Sequence, residues 1–469
     1  MLTKIKELLL KAVQYFKGAE ASTESEKMDK GMTLWEKMYE DNSPWVDDKT
    51  IFSLGLPKTI CEKVASLVLN EAVIRVEGKS KRAQYLNDMI QRHLLPNLAE
   101  SLEKGMAVGG FIMRPYADDY TKQIYIDICR QGEFRALGFD KDRHLTDVEF
   151  YDYYVEGKKT ISRVERQKVN RDSIECENKC FVSTGSGLGN EIAIEQTDWE
   201  SIAPQITFNQ TDKRELPSAL YGYYRVAKAN NKDTSSALGI SIFGTSTRLI
   251  ERADRQFSRL DWEYDGGQMA VDVSEDAITP ETYDAYNPSP VDETRKRIYR
   301  KIDLNSDATY EVFAPSLRDG SYLQGLDRYL MLIEDKVGLA RGSLGYVASE
   351  ARTATEIKTL KQNTYDTVHN NQHNLEMAIR DLVEAMDFLA TTYKLVEEGD
   401  YSLVISWNDS VLEDYQTELN RELQLMDAGV KSKVEVRMFA TGEDEKTAQE
   451  KIDLIGASED LFAGLEGNE

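Results

Sequence analysis

Residues 320–350 read GSYLQGLDRYLMLIEDKVGLARGSLGYVASE, and the parts on either side of them decide the fold. Leu323, Leu326, Leu330, Ile333 and Val337 step 3, 4, 3 and 4, which places them on one face of a helix. The run Arg341–Val347 then carries Gly342 and Gly345, residues that permit backbone conformations others avoid. From about Ala351 the chain shows neither Pro nor Gly until Gly399. A helix running on to about Tyr393 is far longer than the roughly 8–20 residues of ordinary globular helices. Upstream, from Gly239, the residues Leu249, Ala253, Phe257 and Leu260 repeat at helical spacing, and Gly266-Gly267 closes that helix. Residues 265–318 lie between the two helices. They hold three strand-like runs, Met269–Val273, Arg297–Ile302 and Thr309–Phe313, around a loop rich in turn formers, ITPETYDAYNPSP. The order is helix, inserted strands, helix, short loop and one very long helix.

Composition bounds what such a chain can do. With 469 residues, 41% of them hydrophobic, it can bury large cores and should hold more than one domain. The 82 acidic residues outnumber the 58 basic ones, for a net charge of −24, which argues against general affinity for nucleic acid. It leaves room for a protein that encloses a duplex without gripping it, since an acidic wall repels phosphate. Cys61, Cys129, Cys176 and Cys180 are too few for a disulfide scaffold of this size and fit a reducing compartment. The start, MLTKIKELLLKAVQYF, is amphipathic through Leu2, Ile5, Leu8, Leu9 and Val13. It lacks the uninterrupted apolar core and small-residue cleavage site of a signal peptide. No stretch reaches the roughly 18 apolar residues of a membrane span.

Residues 18–30, GAEASTESEKMDK, read as a polar linker, followed by a short helix near Met32–Tyr39. Pro57 opens a helix with Ile60, Val64, Leu67 and Val68 on one face, and Ala72–Val76 reads as a strand. A further helix over Lys81–Lys104 contains Pro96, which should kink it. Gly109-Gly110 then turns the chain into Phe111–Pro115. From there to about Asn209 the pattern changes to strand. The runs are Gln123–Cys129, Glu133–Leu137, Asp147–Tyr154, Ile161–Lys168 and Cys180–Ser183. Ser402–Trp407 is an apolar strand candidate. Helices follow near Leu412–Ala428, Ser432–Ala440 and Glu445–Leu454, with Ser432 and Thr441 as N-caps, before a polar tail.

The order of parts resembles the portal proteins of tailed bacteriophages, of the long-tailed phage or prophage type. LPKTICEKVASLVLNEAVIRVEG at 56–78 and LQLMDAGVKSKVEVRMFATGEDEKTAQEKIDLI near the C-terminus add to the likeness. The resemblance implies an α+β, predominantly helical, portal-like fold. Its parts would be an N-terminal amphipathic helix and linker (1–31), a mixed α+β wing (32–238) and a first stem helix (239–264). A small α/β clip (265–319), a second stem helix (320–340) and a tunnel loop (341–350) would follow. A long body-crossing helix with a wing return (351–408) and a helical C-terminal crown with a tail (409–469) would complete the chain. It also implies a ring of copies of the chain, usually twelve, at one capsid vertex of the virion, assembled in the host cytoplasm. That ring would be a channel for double-stranded DNA in packaging and ejection. It would dock the terminase large subunit and the head–tail adaptor, and would contact the major capsid and scaffolding proteins. No enzymatic activity, cofactor or membrane is implied. Two rivals are weighed against it. One is a cytosolic acidic hydrolase whose long helix is a dimerisation arm. The other is a coiled-coil scaffold, which residues 351–393 do not support because they keep no strict heptad.

Several clusters invite a chemical reading. Arg248, Arg252, Arg255 and Arg259 step 4, 3 and 4 along one helical face. They could present charge to a channel, or pair with Glu251, Asp254 and Asp261 within the helix or on a neighbour. Arg295, Lys296, Arg297, Arg300 and Lys301 form a basic cluster in the insertion. Such a cluster suits DNA or an acidic docking partner, and equally a solvated strand face. By the resemblance, Ser343, Leu344, Tyr346, Val347, Ala348, Ser349 and Glu350 line the channel; the plain alternative is a connection between helices.

Other groupings lead nowhere chemical. His369 and His373 are four apart but lack the glutamate of a zinc helix, and Cys176 and Cys180 have no second pair, so no metal is expected. The run GSGLGN at 185–190 opens no helix and reads as a hairpin turn. Asp118-Asp119 is one chance pair among many carboxylates.

Overall fold

The computed structural model describes residues 25–47, 49–118, 121–185, 187–211, 215–268, 270–273, 299–301, 310–345, 354–407, 422–441, 449 and 451–453. The N-terminal amphipathic run and the C-terminal tail lie outside them, as do residues 412–421 and 442–448 of the helices expected near the C-terminus; Thr441, expected as an N-cap, is instead the last residue of a helix. The chain divides into two compact units, residues 1–69 with 74–405, and residues 70–73 with 406–469.

The first helix, α1 (Glu26–Tyr39), begins inside the stretch expected to be a linker. Ser25 accepts a hydrogen bond from the Met28 amide at 3.3 Å and so caps it, while Met28, Met32 and Trp35 are fully buried at helical spacing. Burial of these side chains overrides the polar composition around them. Next come α2 (Leu56–Leu69), β1 (Val73–Glu77), α3 (Lys81–Met89) and α4 (Leu95–Val108). The disturbance expected from Pro96 takes the form of a π turn over Ile90–Leu94, in which the Leu95 amide donates to the Ile90 carbonyl. The missing amide of Pro96 is thus absorbed one turn earlier.

The strands that follow are β2 (Gly110–Asp118), β3 (Gln123–Arg130), β4 (Phe134–Phe139), β5 (Leu145–Glu156), β6 (Lys159–Val169), β7 (Ser173–Ser183), β8 (Asn190–Ile192), β9 (Gln205–Asn209) and β10 (Gly222–Arg225). They make a three-stranded sheet, ordered β10-β2-β3, and a six-stranded one, β4-β5-β6-β7-β8 with β9 also on β7. β7 starts at Ser173, well before the expected Cys180, because its early residues alternate half-buried polar with buried side chains. The turn predicted at 185–190 joins β7 to β8 as a hairpin, and Gly189 holds a φ of +87° where a Cβ would lie 1.9 Å from the Val182 carbonyl oxygen.

Two helices then flank the inserted strands. The first is α5 (Thr247–Gly266). The strands are β11 (Ala270–Val273), β12 (Tyr299–Lys301) and β13 (Tyr310–Phe313), ordered β12-β11-β13. The second helix is α6 (Asp319–Val337). The long helix α7 (Ala354–Thr392) has 39 residues, β14 (Ser402–Ser406) pairs with β1, and α8 (Lys433–Thr441) starts at a capping box between Ser432 and Glu435.

α7 lies against β10 and β2. Gly222 permits the approach, since a Cβ there would sit 1.9 Å from the Ala378 carbonyl oxygen. Asn371, 1% exposed, accepts from the Tyr224 hydroxyl at 2.8 Å and the Ala227 amide at 3.1 Å, and Asn374 donates to the Arg225 carbonyl at 2.9 Å. At the other end Arg82, fully buried, donates to the carbonyls of Asp387, Val396 and Glu397 and to the Thr391 hydroxyl, and pairs with the Asp387 carboxylate.

Glu149 on β5 is fully buried, and neither carboxylate oxygen has a hydrogen-bond partner among the described residues. Arg135 stands 3.9 Å away, while Arg166 is engaged by Asp147 at 2.6 and 2.9 Å. Burial pushes the Glu149 carboxyl up to about 7, with Arg135 and Arg166 pulling the other way. Its contribution to stability is therefore complete below the ordinary value of 4.5 and lost as pH rises through about 7. Glu149→Gln should raise the free energy of urea unfolding at pH 8 by on the order of 2 kcal/mol, and most of that gain should vanish at pH 5.

Candidate functional site

α5 and α6 pack side by side and antiparallel. Glu263 accepts from the Arg318 amide (3.0 Å) and guanidinium (2.7 Å), and Gln256, a turn and more earlier, donates to the Tyr322 carbonyl at 3.2 Å. α5 begins at Thr247 rather than Gly239, because 239–246 is a buried irregular lead. Gln131 holds that lead: its amide donates to the Gly239 and Val108 carbonyls at 2.8 and 3.0 Å and accepts from the Gly239 amide at 3.1 Å.

The buried face of α5 is turned from the expected one. Ala253 and Leu260 are buried as read, Ile250 is buried in place of Leu249, and Leu249 and Phe257 stay half-exposed. Asp254 and Ser258 occupy the inner face instead. Asp254 accepts from the Trp45 indole at 2.8 Å and the Leu54 amide at 3.0 Å, and Ser258 accepts from the Phe52 amide at 2.8 Å. Burial raises the Asp254 carboxyl, and the Trp45 and Leu54 donors offset part of that rise. Asp254 is thus the strap that holds segment 45–54 on α5, not a partner for the arginines.

Arg248, Arg252, Arg255 and Arg259 are all exposed, on the side of α5 opposite its buried residues. Arg255 pairs with Glu251 at 3.0 Å. Trp262, 67% exposed, continues the same side.

At the far end of α6 the chain turns at Gly338, with φ +87°. The loop after it is rooted by Glu334, 1% exposed, whose two carboxylate oxygens accept from the Gly342 and Leu344 amides at 3.0 and 2.6 Å. The Ala340 amide donates to Thr364 of α7 at 2.6 Å, Lys63 donates to the Ser343 carbonyl at 2.5 Å, and Arg341 pairs with Asp335 at 3.1 Å. Ser343 and Leu344 therefore sit on a fixed root. Tyr346, Val347, Ala348, Ser349 and Glu350 lie outside the described residues. So do Arg295, Lys296 and Arg297, while Arg300 and Lys301 lie on β12. Glu334 escaped the sequence reading because an acid between apolar helix positions reads as solvent-facing.

Other chemistry stays structural. His369 stacks on Tyr365 with ring centroids 5.9 Å apart, and no group of His, Cys, Asp or Glu among the described residues is arranged to hold a metal ion. Cys61, Cys176 and Cys180 are buried free thiols, and burial raises all three. No described helix is long and apolar enough to cross a membrane.

Residues 48–458 match the family of phage portal proteins described as SPP1 Gp6-like. The match spans most of the chain, and the chain belongs to that family. It is a phage portal protein, and a DNA channel and a docking role at the capsid vertex are what the family implies. No curated protein matches the chain.

Replacing Glu334 by Ala should leave two amides at the loop root without their acceptor. A loss of about 2 kcal/mol is expected. Hydrogen exchange at Gly342 and Leu344 should rise well before global unfolding, and unchanged protection there would refute the anchoring role.

Proposed function

We propose that this portal protein works as a ring of its own copies, usually twelve in such assemblies, at one capsid vertex, with duplex DNA passing through its centre. Family membership supports the ring and the channel. The observation that carries the assignment of parts is the antiparallel α5–α6 pair, with inserted strands at one end and the rooted loop at the other. On this reading α5 and α6 are the stem, residues 265–319 the clip, residues 341–350 the tunnel loop and α7 the body-crossing helix. The wing is the α+β unit before α5, and the crown is the helical C-terminal region.

Each part then has a task. With its root fixed by Glu334 and Arg341 already paired with Asp335, the tunnel loop offers the DNA a steric rather than an ionic contact. The clip, with Arg295, Lys296, Arg297, Arg300 and Lys301, docks the terminase large subunit during packaging and the head–tail adaptor afterwards. The outward arginines of α5 serve the channel or a neighbouring subunit. The major capsid and scaffolding proteins meet the wing. ATP hydrolysis belongs to the motor, and the portal family is not an enzyme family.

The acidic-hydrolase alternative finds little support. The acidic groove formed by Glu215, Glu384, Asp387, Glu398 and Asp400 is open, and Asp387 is held by Arg82.

Negative-stain microscopy with native mass measurement of the purified chain should show rings with a central hole. A chain lacking 342–350 should still form them yet fail to package DNA. Loss of rings on that deletion would make the loop structural and overturn its placement.

A further inference from the structure

Strand β5 is paired on both sides for only half its length. β4 covers it from Leu145 to Phe150, where Phe134 is the last partner, while β6 stays beside it to Glu156, opposite Lys159. We infer that the uncovered edge, Tyr151 to Glu156, takes an extended segment of another protein as an added strand. The edge itself follows from strand pairing; the source of that segment, the capsid and scaffolding chains, rests on the reading of this sheet as part of the wing.

Three observations carry it. The first is the phase of the ladder. In an antiparallel sheet each residue turns its N–H and C=O toward one neighbouring strand, and the side alternates along the chain. The Asn170 amide donates to the Ser173 carbonyl and the Asn178 amide to the Pro204 carbonyl, each at 2.8 Å. Even-numbered residues of β6 therefore bond to β7, and odd-numbered ones to β5. Tyr153 and Val155 stand opposite Ser162 and Thr160, so their N–H and C=O point away from β6, where they meet no hydrogen-bond partner among the described residues. Second, the edge lacks the lysine, proline or bulge that commonly protects such a strand. Between Tyr151 and Val155 the only charged residue is Asp152, and Arg114 and Arg163 hold it at 2.9 and 2.6 Å on the opposite face. Third, Tyr153 and Val155 are 46% and 63% exposed on one face, beside Thr160 and Ser162. This uncharged aromatic and β-branched row pairs with apolar or β-branched side chains at alternate positions of an incoming segment. Unpaired ladder groups select an extended backbone, which neither a helix nor a small ligand offers in that register.

Hydrogen exchange read residue by residue tests this on the wild-type chain. In subunits and in rings, the amides of Tyr153 and Val155 should exchange at least about tenfold faster than those of Asp152 and Tyr154. In procapsids assembled with the phage's capsid and scaffolding proteins, they should slow to match. Slow exchange in the free chain, or fast exchange retained in procapsids, overturns the inference. Slowing on ring formation alone would make the occupant another copy of this chain, and overturns it too. Val155→Pro removes an outward amide and spares every bond to β6, so the melting temperature should hold while incorporation into procapsids falls at least about tenfold. Tyr154→Pro, whose amide bonds to β6, should instead lower the melting temperature. Tyr153→Lys with Val155→Lys, which guards the edge by charge and leaves the backbone unchanged, should reduce incorporation likewise. If Val155→Pro does not fold, the double lysine variant decides, and its incorporation at wild-type level overturns the inference. A wild-type chain that enters no procapsid would count against the vertex reading, with the exchange contrast in the free chain still deciding whether the edge is open.

Discussion

Everything described around the α5–α6 pair depends on where α7 lies on the β10-β2-β3 sheet. Gly222 lets the helix backbone come within contact of the strand, and Asn371 and Asn374 convert that approach into hydrogen bonds with Tyr224, Arg225 and Ala227. Once α7 is seated, Thr364 and Thr367 stand at the exit of α6. The first receives the Ala340 amide, and the second lies where any side chain at position 338 would collide, 2.1 Å from a Cβ. The loop root is therefore a consequence of helix seating.

A second theme is the use of side chains where backbone ladders end. Segments 45–54, 239–246 and 340–345 are irregular and partly buried, so their amides need partners that neither helix nor strand supplies. Asp254 serves the first, Gln131 the second and Glu334 the third. Each is a single polar group that satisfies two or more donors or acceptors, and each is near-fully buried or walled in. Such groups are costly to leave half-satisfied. Their placement ties one end of the α5–α6 pair, and through Asp254 the middle of α5, to the α+β body.

How much of this was legible in the sequence follows from how local each determinant is. The order of helices, the inserted strands and the length of α7 rest on periodicity and on the absence of Pro and Gly, which are local properties. The rotation of α5 was not legible. Asp254 and Ser258 face inward because Trp45, Leu54 and Phe52, two hundred residues away in the chain, supply their donors. The same holds for Glu334, whose partners follow a turn that no pattern specifies. α1 was read too short because the composition of 18–30 is polar, although Met28 belongs to the buried stripe. β7 was read too short because polar residues there alternate with buried ones. The exposed arginine face, by contrast, needed only the 4, 3, 4 spacing.

The electrostatics of that face can be argued further than its spacing. The Arg255–Glu251 pair is half-exposed, and pairs of this kind are worth little and are screened by salt. Glu251 therefore does not neutralise the stripe so much as steady one member of it. Four guanidinium groups on an otherwise acidic chain remain available to an acidic or phosphate surface. What separates the two is the company they keep. Arg248 and Arg252 stand away from Trp262, nearer the buried lead that ties α5 to the body. Arg255 and Arg259 share a pocket with an indole and with Phe52. Arginine beside an exposed aromatic is the composition of a protein–protein anchor, where a planar cation and a ring are desolvated together. Along one helix the same charge pattern thus lies in two settings, with Arg255 and Arg259 lining a pocket together with Trp262 and Phe52.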